Sequence, residues 1–126
     1  MISKIKKILL VEDEKPLSEV LREKLEDSGY KVFVAHDGES GLSEALKEKP
    51  DLILLDLLLP RLTGNEMLKK LRQDIDYGVT AKVIILSNYT EEKTAQGLTD
   101  LAVLEYLIKA DCKIEDIIAK VNHYLK

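Results

Sequence analysis

The chain has 126 residues, 45% of them hydrophobic and 33% charged, a size and balance that fit one folded domain and exclude a disordered segment. Its 19 basic residues against 23 acidic ones leave a formal net charge of −4, without the lysine and arginine excess that a phosphate backbone demands, so direct nucleic-acid binding is not expected. The single cysteine, Cys112, allows neither an internal disulfide nor a paired-thiol metal site, which suits a reducing cytoplasm.

Lys4, Lys6 and Lys7 precede only Ile8 to Val11 before Glu12 and Asp13 intervene. That apolar stretch is too short for a secretory leader, and no segment reaches membrane-spanning length, so no membrane association is expected. Ile8 to Val11 reads as a strand, and from Pro16 onward Leu17, Val20, Leu21 and Leu25 recur at helical spacing. Tyr30 to Ala35 is rich in β-branched and aromatic residues, and the turn pair Asp37-Gly38 leads into a second helical stripe of Leu42, Ala45 and Leu46.

Leu52 to Leu55 is apolar throughout, as befits a strand covered by helices on both faces. Thr63-Gly-Asn-Glu66 has the form of a capping box ahead of Met67, Leu68 and Leu71. Lys82 to Leu86 is the fourth strand, and Thr90-Glu-Glu92 opens a fourth helix with Ala95, Leu98 and Leu101 inward. Leu104 to Ile108 is the fifth strand, followed by a closing helix with Ile114, Ile117, Ile118, Val121 and Leu125 on its apolar stripe. Five strands alternating with five helices predict an α/β fold with a parallel sheet and helices on both sides, occupying residues 1–126 as one domain.

In such sheets ligands bind beyond the carboxyl ends of the strands. The first strand ends in Glu12-Asp13, the third in Asp56, the fourth in Ser87 and the fifth in Lys109, so these residues converge on one rim. An ionised carboxylate inside Leu52 to Leu59 would be costly to bury, and the prediction is that Asp56 emerges at the sheet edge rather than in the core. Three neighbouring carboxylates repel one another unless a cation neutralises them, and Mg²⁺ takes an all-oxygen set of this kind. Acids, a hydroxyl and an ammonium together fit phosphoryl chemistry, with Asp56 as the candidate nucleophile.

Taken singly, most of these residues have plainer readings. Glu12-Asp13 can serve the dipole of the following helix, Ser87 a turn, and Lys109 the solvent. Tyr106 suits a half-buried packing position, His36 and His123 look structural or solvated, and nothing marks Cys112 as activated.

The order and spacing of these motifs resemble the receiver domain of bacterial two-component response regulators over nearly the whole chain. The matching residues are Leu10-Val-Glu-Asp13, Ala35-His-Asp-Gly38, Pro50 to Pro60 with Gly64, Ser87, and Tyr106-Leu-Ile-Lys109. The resemblance implies a flavodoxin-like (βα)5 fold with strand order 2-1-3-4-5. It implies that Asp56 accepts a phosphoryl group from a sensor histidine kinase or a histidine phosphotransfer protein. Asp13, Asp56 and the backbone carbonyl of Leu58 would ligate Mg²⁺, with Glu12 acting through water, and Lys109 would pair with Asp56. Ser87 would swing toward the phosphoryl group and Tyr106 would follow it. The switch would be read by a downstream protein or a second copy at the face of the fourth helix, fifth strand and closing helix, with no output domain in the chain itself.

Several positions depart from the family pattern. Ala110 replaces the usual proline after Lys109, which leaves either a trans bond with a shifted lysine or a costly non-proline cis bond. Asn88 and Leu58 stand where either could crowd the phosphoryl group, and Ala102 stands where glycine is frequent. A phosphatase of the haloacid dehalogenase type would want an acid at Leu58. A flavodoxin would not place Glu12-Asp13-Glu14 at its phosphate loop, and no Gly-x-Gly-x-x-Gly follows a strand. A degenerate receiver, binding partners without phosphorylation, is the alternative that Ala110 and Asn88 keep open.

Overall fold

A computed structural model describes residues 4–88 and 101–126. Strands β1 (Lys7–Val11), β2 (Lys31–Ala35), β3 (Leu52–Leu55), β4 (Val83–Ser87) and β5 (Glu105–Ile108) form one parallel sheet in the order β2-β1-β3-β4-β5. Among the described residues there are four helices, α1 (Lys15–Asp27), α2 (Gly38–Glu48), α3 (Gly64–Arg72) and α4 (Ile114–Leu125), with a 3-10 turn at Lys109–Asp111. Fold class and strand order are those expected. The helix expected to open at Thr90, with Ala95 and Leu98 inward, lies outside the described residues, and none of the described helices is long and apolar enough to cross a membrane.

The two-residue period of the strands divides the core into two layers. Leu9, Val11, Ile53, Leu55, Val83 and Ile85 meet Ala45 of α2 and Met67, Leu68 and Leu71 of α3. Ile8, Leu10, Leu52, Leu54, Ile84 and Leu86 meet Leu21 and Leu25 of α1 and Ile117 and Val121 of α4. Every residue of β3 is fully buried, which explains why its sequence shows no polar alternation. Val20 and Leu46 lie outside the buried stripes of their helices and are exposed.

Caps fix where the helices begin. Asp37 accepts from the Ser40 N–H at 2.8 Å ahead of α2. At α3 the predicted capping box forms: the Glu66 N–H donates to Thr63 Oγ1 and the Thr63 N–H to Glu66 Oε1, both at 3.2 Å. Gly64, the first residue of α3, lies so close to β3 that a Cβ would overlap the Asp56 carbonyl oxygen and Leu57 Cα.

Arg72, at the end of α3, ties the chain ahead of β5 to the chain ahead of β4. Its guanidinium donates to the carbonyls of Gly78 at 2.8 Å and Ala81 at 2.7 Å, and to those of Leu101 at 2.8 Å and Ala102 at 3.2 Å. Ala102 adopts φ +56°, a left-handed conformation that costs an L-residue with a Cβ about 1–2 kcal/mol. Glycine relieves that strain but adds about 0.4–1 kcal/mol of unfolded-state entropy. Ala102→Gly is therefore expected to raise stability by about 0.5–1 kcal/mol and the thermal midpoint by about 3 °C. A midpoint unchanged or lowered would show that the backbone stores no strain there.

Candidate functional site

Strand register assembles the rim. Val11 pairs with Leu55 and Leu55 with Ile85, so β1 and β3 end level, and Glu12-Asp13 and Asp56 are the next residues out. The Asp56 N–H continues the ladder to the Val11 carbonyl at 3.1 Å, and the Glu12 N–H to the Ala35 carbonyl at 2.9 Å. β4 extends further, to Ser87, which pairs with Ile108. Lys109 follows immediately.

Asp56 stands at the centre. Its Oδ1 accepts from Ser87 Oγ at 2.7 Å and from the Leu58 N–H at 3.1 Å, and its Oδ2 accepts from Lys109 Nζ at 2.7 Å. The ammonium also meets Glu12 Oε1 at 2.7 Å and Glu14 Oε1 at 3.6 Å, and the other Glu12 oxygen accepts from the Glu14 N–H at 3.0 Å. Asp56 does lie at the sheet edge, but it is only 4% exposed because these partners close over it. A carboxylate tolerates such burial when charged and polar donors take both oxygens.

Among the described residues the charges do not balance locally. Carboxylate oxygens of Glu12, Asp13 and Asp56 lie within 4.8 Å of one another, and Lys109 is the cation among them. Burial pushes the Glu12 carboxyl above its ordinary value, Asp56 adds to this, and the bonds from Lys109 and the Glu14 N–H only partly oppose it. Burial alone would lower the Lys109 ammonium, yet its bonds to Asp56 and Glu12 outweigh that and hold it above its ordinary value. Three acids facing one ammonium, with oxygen donors only, fit a hard divalent cation of the Mg²⁺ or Mn²⁺ kind. Asp13, the exposed member of the three, gives the cluster its open side.

The remaining residues singled out in the sequence sort by position. Tyr106 is half-buried against the α3 side of the sheet with Leu101 and Val103. Leu58 is 54% exposed and, with Leu57, Thr63 and Asn65, lines a small cleft of about 180 Å³. His36 Nδ1 hydrogen-bonds the Glu12 carbonyl at 2.8 Å, a structural role. Burial, with Asp116 and Asp111 nearby, pushes the Cys112 thiol up, as suits an unactivated cysteine.

The Lys109-Ala110 peptide is trans, as no cis bond occurs among the described residues, and Lys109 still reaches Asp56. Asn88, which by its place in the sequence could crowd the phosphoryl position, turns its amide oxygen to the Ala110 N–H at 2.8 Å. Sequence reasoning missed that bond, although the presence of an N–H where proline has none was its signal. It also missed Glu14 as a third acid beside Lys109. The hydroxyl of Ser87, the residue expected to swing toward a phosphoryl group, donates to Asp56.

Comparison with known proteins agrees with this geometry. Residues 8–122 match the model of the response regulator receiver domain. The response regulator ArlR of Staphylococcus saprophyticus is 34% identical over 120 residues, which is 95% of this chain and 52% of ArlR; the chain thus spans about half the length of that relative. Among solved structures, the Mn²⁺-bound response regulator Rcp1 is 31% identical with a TM-score of 0.78, covering 94% of this chain and 90% of its own. The phosphorylated cyanobacterial phytochrome response regulator RcpA is 30% identical with a TM-score of 0.80, covering 95% and 91%. With its sheet order, its acidic rim and a family match that leaves out only the chain ends, the chain belongs to the response regulator receiver domains of two-component signalling.

Proposed function

We propose that the domain is a phosphorylation-controlled switch in which Asp56 accepts a phosphoryl group from a phosphohistidine on a sensor histidine kinase or a phosphotransfer protein. The observation that carries this reading is the placement of Ser87 Oγ and Lys109 Nζ, each 2.7 Å from a different oxygen of Asp56, beside the acids Glu12 and Asp13. An Asp56 oxygen forms the bond to phosphorus as the P–N bond to the donor imidazole breaks, and the imidazole keeps the electron pair. Asp13, Asp56 and the Leu58 carbonyl would hold Mg²⁺, with Glu12 acting through water. The ion, when bound, supplies positive charge against the phosphoryl oxygens. The Mn²⁺-bound and phosphorylated relatives support the same assignment for this chain.

Lys109 holds a positive charge on the Asp56 side of the transferring group, and Ser87 moves its hydrogen bond from the carboxylate to a phosphoryl oxygen. Because Ser87 is fully buried and ends β4, that exchange draws Asn88 with it, and Tyr106 repacks. The response is read by a downstream protein, or by a second copy, at the face containing β5 and α4. On that face Glu105 accepts from Lys120 Nζ and Tyr124 Oη, both at 3.1 Å. The acceptance step is tested by intact mass after incubation with Mg²⁺ and a small acyl phosphate. A hydroxylamine-labile adduct is expected on the wild type and not on Asp56→Asn; an adduct of equal yield on both would remove Asp56 from the role.

Leu58 gives a kinetic prediction. An exposed isobutyl group at the mouth of the site offers the attacking water no hydrogen-bond partner, so the phosphorylated form should be long-lived. Leu58→Asn is expected to speed dephosphorylation several-fold, about 1 kcal/mol of barrier. Decay of the adduct followed by mass would refute this if the variant lost phosphate no faster than the wild type.

A further inference from the structure

The 3-10 turn at Lys109–Asp111 begins without a cap of its own. The residue before it is Ile108, whose side chain makes no capping bond, so the first N–H groups of the turn need acceptors from elsewhere. The Ala110 N–H finds one just beyond the end of β4: the amide oxygen of Asn88, 2.8 Å away. Asn88 directly follows Ser87, and Ser87 is paired with Ile108 across the β4–β5 ladder. One hydrogen bond therefore joins the residue after the site hydroxyl to the residue after the site ammonium. Proline at position 110 would have no N–H to donate, so this link depends on a position where the chain departs from its family.

We propose that Asn88 is a positioning residue for Lys109. It fixes the turn from which the lysine side chain reaches Asp56 and Glu12, and it makes the Ser87 and Lys109 segments move together. The inference rests on the reading of Asp56 as phosphoryl acceptor and goes beyond it, because the trans Lys109-Ala110 bond alone does not set where the ammonium sits. Asn88 is exposed, so the acceptor can be removed without opening the core.

The test compares the wild type, Asn88→Leu, Asn88→Asp and Ala110→Pro, with Asn88→Ala in reserve should the leucine variant aggregate. Two readouts are taken at saturating Mg²⁺: the rate of phosphoryl acceptance from a small acyl phosphate, and hydrogen exchange of the Ala110 amide. Asn88→Leu is expected to slow acceptance about tenfold, the scale of a modest misplacement of a positioned group, with the half-saturating donor concentration unchanged. The Ala110 amide should exchange faster in that variant, and Asn88→Asp, which keeps the acceptor, should restore both. In the Ala110→Pro background Asn88→Leu should have no further effect. Wild-type acceptance in Asn88→Leu, or equal slowing in Asn88→Asp, overturns the proposal. A wild type that accepts no phosphoryl group overturns the Asp56 reading first and this role with it.

Discussion

Lys109→Met is expected to lower stability by about 3 kcal/mol at pH 7, the scale of breaking a buried ion pair by removing one partner. Phosphoryl acceptance should fall about hundredfold, as when one preorganised charge is removed from a developing phosphoryl or oxyanion site. The stability loss follows from burial: Glu12 is 1% and Asp56 4% exposed, and both carboxylates lose the ammonium 2.7 Å away. The loss should also depend on pH. Glu12 already has its carboxyl raised above the ordinary value by burial, so the folded state holds that proton more readily than the unfolded one. Stability therefore falls as pH rises from about 4.3, the unfolded carboxylate value, through the folded one. Without Lys109 the folded value climbs further and the window widens upward. The Lys109 contribution itself, from a group raised in the fold, is complete below about 10.4 and disappears only above it. Denaturant titrations should thus find a smaller gap between the variant and the wild type near pH 4 than at pH 7. A constant difference across that range would show that Glu12 is not held charged by Lys109.

Gly64→Ala is expected to cost more than a helix-start alanine ordinarily would, about 3 kcal/mol or more, near the upper end for forced overpacking. The added Cβ would meet backbone, the Asp56 carbonyl oxygen and Leu57 Cα, which cannot rotate aside as a side chain can. Either α3 lifts off the end of β3 or Asp56 shifts, and the Gly64 N–H bond to the Leu57 carbonyl at 3.0 Å is strained in both cases. A thermal midpoint about 10 °C lower and a weaker response to Mg²⁺ should accompany each other. A variant as stable as the wild type would mean that the helix start is softer than its packing indicates.

The fold was legible because local signals agreed with the global arrangement. The unbroken Leu52 to Leu55 run, the Thr63 to Glu66 capping box and the alternating strand and helix patterns all appear where the residues placed them. The rim was legible for a geometric reason: in a parallel sheet, strand ends converge, so Glu12-Asp13, Asp56, Ser87 and Lys109 could be grouped without knowing any distance. What sequence could not supply was the route of individual side chains. Val20 and Leu46 fit a helical stripe by spacing yet lie just beyond the covered arc. Nothing in the sequence ties Glu14 to Lys109 or Asn88 to Ala110, because these partners are 95 and 22 residues away along the chain. Ala102 stood out as alanine where glycine is frequent, but its left-handed backbone could not be read from the residue itself, since alanine ordinarily avoids that conformation.

The central claim is that Glu12, Asp13 and Asp56 together form a divalent-cation site beside the phosphoryl acceptor. Anomalous diffraction from crystals grown with saturating Mn²⁺ tests it directly. One strong peak is expected, bounded by the Asp13 and Asp56 carboxylates and the Leu58 carbonyl, with Lys109 retained against Asp56. Lys109 bridging Glu12 and Asp56 with no peak among the three acids would contradict it, and would leave a binding module that works without phosphorylation.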